Sequence, residues 1–122
     1  MNKIAPEDAF LILAKWFEER SFLHFESFNA NTGKAFSCWA LITRISEGKS
    51  IVFSRMELPF EFFRISFKPT LEFEHDESDG RPPFPSDPPL KWLRCLRLTW
   101  TDSGDTLLLA EINRENIHDI LD

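Results

Sequence analysis

The chain contains no tyrosine, although 13 phenylalanines and four tryptophans stand among its 122 residues. Tyrosine is the ring usually placed where an aromatic must also meet water or donate a hydrogen bond. Without it, the aromatic set reads as interior packing. Cysteine is nearly absent too. Cys38 and Cys95 are the only two, each lies in an apolar run, and neither has a Cys or His at metal-ligand spacing, which excludes a thiolate zinc site. Both read as small buried hydrophobes. A disulfide between them would need neighbouring strands, and no secretory signal favours one.

That signal is missing in a specific way. Met1, Asn2 and Lys3 lead to Glu7 and Asp8, where a leader would need its apolar segment. No asparagine begins an N-x-Ser/Thr sequon, and the longest uncharged run, 35–43, is about half of what spans a bilayer. The expectation is a cytoplasmic protein that does not enter a membrane. Glycine is scarce as well: Gly33, Gly48, Gly80 and Gly104 all fall in turn sequences. No G-x-S-x-G, H-E-x-x-H, Walker or G-x-G-x-x-G motif is present, so no catalytic constellation, cofactor or metal is expected.

Basic charge is in deficit. Fourteen Lys and Arg against 20 Asp and Glu give a net charge of −6, which repels phosphate backbones and argues against nucleic acid as a partner. A basic protein is the complementary partner, although such a balance also serves solubility. The length fits one domain, 1–122, able to bury a core without a metal or disulfide staple.

Pro6 followed by Glu7 and Asp8 predicts a helix from 6 to about 20. Its wide apolar arc includes Phe10, Leu13, Ala14 and Phe17 and calls for a sheet beneath. A strand is expected over 22–28. Both parities of 35–45 are partly apolar, which predicts a central strand covered on two faces, and a short hairpin loop leads from it to a strand at 51–56.

The stretch 63–79 alternates: Phe63, Ile65, Phe67, Leu71, Phe73 and His75 share one parity, and Arg64, Ser66, Lys68, Thr70, Glu72, Glu74 and Asp76 the other. That is the period of a strand with one wet face. Just upstream, Phe60 and Phe62 hold the opposite phase, as a β-bulge would produce. Pro69 marks an edge strand or a tight bend. The wet face ends in Glu72, Glu74, Asp76, Glu77 and Asp79, which read as a guarded free edge. A connector carrying five prolines, 80–89, follows, and its Arg81-Pro82-Pro83-Phe84-Pro85 has PxxP spacing. Strands are preferred over a helix for 92–100 and are expected at 106–112, joined across Asp102-Ser103-Gly104-Asp105. Asn113 would cap a short last helix.

His75 cannot easily share an ion with Glu74 and Asp76, because neighbours on a strand point to opposite faces. Glu72 and Glu74, about 7 Å apart, resemble a glycosidase pair only in spacing.

These readings combine into an α+β fold: a curved, mostly antiparallel sheet or partial barrel of about six strands, with the N-terminal helix packed on it and a short C-terminal helix. The expected function is non-catalytic binding of a basic partner through Glu72, Glu74, Asp76, Glu77, Asp79 and Phe84. The alternative is a carrier of a small apolar ligand between helix and sheet, lined by Phe10, Phe17, Phe36, Phe63 and Phe67.

Overall fold

The computed structural model describes residues 2–46, 50–55, 60–77 and 92–112. Its elements run β1 (Asn2–Ile4), α1 (Pro6–Glu19), β2 (Leu23–Phe28), β3 (Ala35–Ser46), β4 (Ser50–Arg55), β5 (Glu61–Ser66), β6 (Leu71–Glu77), β7 (Trp92–Trp100) and β8 (Thr106–Ile112). The eight strands form one antiparallel sheet in the order β1-β6-β7-β8-β2-β3-β4-β5. Two meanders, β2 to β5 and β6 to β8, are joined where β8 pairs with β2. The sheet thus has more strands than the sequence suggested. The expected C-terminal helix and the proline connector lie outside the described residues.

The short link between β5 and β6 dictates the shape. In a flat sheet six strand spacings, about 29 Å, would separate them. Residues 67–70 can reach only about 18 Å between strand ends. The sheet must therefore curl, bringing its two ends together around the core while remaining open. Phe67, in the link, stacks on Phe73 of β6 with ring centroids 4.8 Å apart and meets Phe10 of α1 edge-on at 5.9 Å.

The helix begins as expected, with Pro6 in the first turn and Glu7 and Asp8 beside its positive end. Arg20 closes it in the left-handed region, at φ 52°: its N–H donates to the Phe17 carbonyl and that of Ser21 to the Trp16 carbonyl. This is a Schellman-type end built without glycine. Ala9, Leu13 and Trp16 are buried, with Phe10 and Phe17 packed partly against the same core.

Each strand sends alternate residues inward. Phe25 lies at the centre, fully buried, with the rings of Phe36, Phe53, Phe62 and Phe63 within 6.4 Å. Removing such a ring leaves a cavity that costs about 3–5 kcal/mol. The bulge expected near Phe62 is present: Phe53 pairs with Phe63 and Ser54 with Glu61, so Phe62 is the extra residue.

One expectation is resolved and two need correction. The alternation over 63–77 is divided between two strands: of the edge strand or tight bend that Pro69 allowed, the bend is observed, since Pro69 and Thr70 make a turn and send β5 and β6 to distant places in the sheet. The acidic strand is not an edge: β6 pairs with β7 along its length and with β1 over Phe73, Glu74 and His75. Among the described residues the edges are β1 and β5. Finally, β3 is central but covered unequally, with Cys38, Ala40 and Ile42 buried, Trp39 and Leu41 half-buried, and Ala35, Phe36 and Ser37 exposed.

Candidate functional site

The sequence-based candidates separate in space. On β6, Glu72 pairs with Lys3 at 3.4 Å. Glu74 accepts from Arg97 Nη2 through both carboxylate oxygens, at 2.9 and 2.8 Å. Two of the acids intended for a partner are thus compensated within the chain. Asp76 and Glu77 are exposed, and they point to opposite faces of the strand. Asp79 and Phe84 lie outside the described residues.

The proposed lining of the apolar cavity also disperses. Phe10 and Phe67 pack on each other, and Phe36 is exposed at 45% while touching Phe25 and Phe62. Phe17 lines a cleft with Glu18, Arg20, Leu41, Ile42 and Thr43. Phe63 lines a different pocket. Rings fill the space around Phe25, and neither the cleft nor the pocket is lined by more than one of these five residues.

The pocket at Phe63 is the better-built feature. It has a volume of about 300 Å³ and is lined by Ser27, Phe28, Asn29, Phe63, Trp100, Asp102, Ser103, Asp105 and Thr106. Two turns hold its wall. In one, Asn29 Oδ1 accepts from the N–H and hydroxyl of Thr32, and Gly33, at φ 70°, donates to the Asn29 carbonyl. In the other, Gly104, at φ 80°, donates to the Trp100 carbonyl at 2.7 Å. The two turns are fastened by Asp105, whose Oδ1 accepts from the N–H of Ala30 at 2.9 Å. Gly104 stands so close that a Cβ there would lie 3.3 Å from that of Ala30. The wall is preorganised by these contacts.

Chemically the pocket offers three aromatic rings, two carboxylates and several hydroxyls. Its described lining includes no Lys, Arg, His or Cys. It is suited to recognition by ring faces and carboxylate acceptors, and lacks the nucleophile-and-base pairing of an active site. The sequence reading saw Phe28, Trp100, Asp102 and Asp105 only as strand and turn residues. The available signal was Trp100 standing immediately before a turn with two aspartates.

The outer face of the sheet carries a second cluster. His24 meets Trp39 edge-on with centroids 4.9 Å apart, and Trp39 also packs on Phe22. Burial pushes the His24 imidazole down to about 4. Cys95 and Ala110 continue this face, fully buried. Burial, reinforced by the nearby Asp76 charge, pushes the Cys95 thiol up to about 12. Cys38 stands opposite Phe25 on the inner face, so the two cysteines lie on opposite sides of the sheet and neither is in a disulfide.

Among the described residues no three His, Cys, Asp or Glu side chains gather as metal ligands, and no helix is long and apolar enough to cross a membrane. Comparison with protein families, curated proteins and solved structures finds no match for this chain.

Proposed function

We propose that the protein is a non-catalytic binding protein for a basic partner, and that the pocket between the two turns receives one exposed lysine or arginine side chain of that partner. The observation that carries this reading is the convergence of Phe28, Phe63 and Trp100 with Asp102 and Asp105 on one preformed pocket whose described lining has no basic residue. A cation over an aromatic face gains about 0.5–2 kcal/mol, more as water is excluded, and a carboxylate at the rim adds to it. The net charge of −6 draws a basic partner from a distance. Glu72 and Glu74 add little to that field or to direct contact, because Lys3 and Arg97 compensate them.

The test is titration with a lysine- and arginine-rich peptide and with a neutral peptide of equal length. Wild-type protein should bind the basic peptide alone, with Trp100→Leu and Asp102→Asn each weakening it several-fold. Equal binding of both peptides would overturn the reading. Loss of binding only on charge reversal at Asp76 and Glu77 would move the site to the acidic strand.

A further inference from the structure

The pocket between the two turns opens beside exposed aromatic surface. Phe28, which lines it, is 43% exposed, and Phe36 and Phe60 are 45% and 68% exposed. Leu11 and Leu93, also open among the described residues, lie apart on α1 and at the far end of β7. Exposed apolar groups scattered singly are ordinary, whereas several gathered beside a pocket mark an interaction surface.

Two routes connect Phe36 to the pocket. Along the pairing of β2 with β3, it stands directly opposite Ser27, which lines the pocket. Across the curl, the pocket's Phe63 has its ring centroid 6.4 Å from that of Phe62, and Phe62 lies 6.1 Å from Phe36. The β5 bulge produces this ledge, since it sets Phe62 and Phe63 side by side against Phe25. Phe60 stands two residues before Phe62, at the entry to β5. The Arg55 guanidinium lies 5.9 Å from the Phe36 ring centroid and still leaves nearly half of that residue open.

We infer that the partner's segment is extended and carries a large apolar side chain two positions from its lysine or arginine. The basic group enters the pocket, and the apolar one covers Phe62 and its neighbours Phe36 and Phe60. The inference rests on the pocket reading above. Alternate side chains of an extended chain lie about 6.6 Å apart on one side, close to the 6.4 Å step from Phe63 to Phe62. A second copy of this chain is a poor occupant, because two bodies of net charge −6 repel. A purely apolar segment would gain nothing from the pocket's Asp102 and Asp105.

NMR titration of the intact chain with three glycine- and serine-based peptides of equal length and charge tests this. The first carries one lysine, the second adds phenylalanine two positions to either side of it, and the third places both phenylalanines directly adjacent to it. The second should bind at least about fivefold more tightly than the first, and the third should lose most of that gain. Phe36→Ser should cancel most of the gain while leaving affinity for the first peptide unchanged. Phe60→Ser, at a ring 68% exposed, should reduce it and carries the test should Phe36→Ser not fold. Asp102→Asn should weaken all three peptides. Equal affinity for the first two, with Asp102→Asn weakening both, would overturn this inference and leave the pocket reading intact. A gain that survives both phenylalanine variants would overturn it as well. Binding of no peptide, or no response to Asp102→Asn, would overturn the pocket reading and this inference with it.

Discussion

Arg97 donates from one nitrogen, Nη2, to both carboxylate oxygens of Glu74, from directly opposed positions on β7 and β6. The pair neutralises the middle of what the sequence presents as an acidic strand. It is a surface pair, with side-chain exposures of 44% and 29%, so its stabilising contribution is small. Arg97→Gln should lower stability by no more than about 1 kcal/mol in urea denaturation. A larger loss would mean that the pair is part of the core rather than charge compensation.

His24 makes stability depend on pH. Its folded pKa is pushed down to about 4 against an unfolded value of 6.5, so between these values the unfolded chain holds a proton that the folded chain does not. Stability is full above about pH 6.5 and declines as pH falls toward 4, by about 1–3 kcal/mol. Replacing His24 by Phe should flatten that part of the profile. The difference between wild-type and variant unfolding curves at pH 4.5 and pH 7.5 isolates it from the carboxylates.

Neither cysteine should be disulfide-bonded, and Cys95 should be protected. Cys95 is fully buried with a thiol pushed up to about 12, so a thiol reagent should fail to modify it in the native state and react once the chain is unfolded. Intact mass without reductant should show two free thiols. A Cys38–Cys95 disulfide in native protein would contradict the sheet register, which sets the two on opposite faces.

Gly104 tests how the pocket is held. At φ 80°, with only 3.3 Å between its virtual Cβ and that of Ala30, Gly104→Ala should destabilise the chain by about 1–2 kcal/mol. It should also weaken basic-peptide binding without altering any pocket side chain. Unchanged stability would mean that the two turns are not packed together.

The helix and the bulge are local features, and both were legible. Pro6 with two acids fixed the helix start, and the phase change between Phe62 and Phe63 gave the bulge. The break at Pro69 was harder to read, because parity is the same on both sides of the turn: Phe67 and Leu71 continue the alternation of Phe63 and Ile65. Periodicity also carries no information on strand neighbours. Nothing in 70–77 announces that Asn2 to Ile4 will cover its flank, and so the acids looked like an edge. The pocket was invisible for the same reason, since Phe28, Phe63 and Trp100 come together only through the curl and the pairing of β2 with β8.

Amide and indole NMR shifts, followed while a lysine- and arginine-rich peptide is added, test the central claim most directly. The account predicts that the shifts concentrate on Ser27, Phe28, Asn29, the Trp100 indole N–H and residues 101–106, and that Trp100→Leu moves the titration to several-fold higher peptide concentration. Shifts centred on Glu72, Glu74, Asp76 and Glu77 with the pocket silent, or no shifts at all, would contradict it.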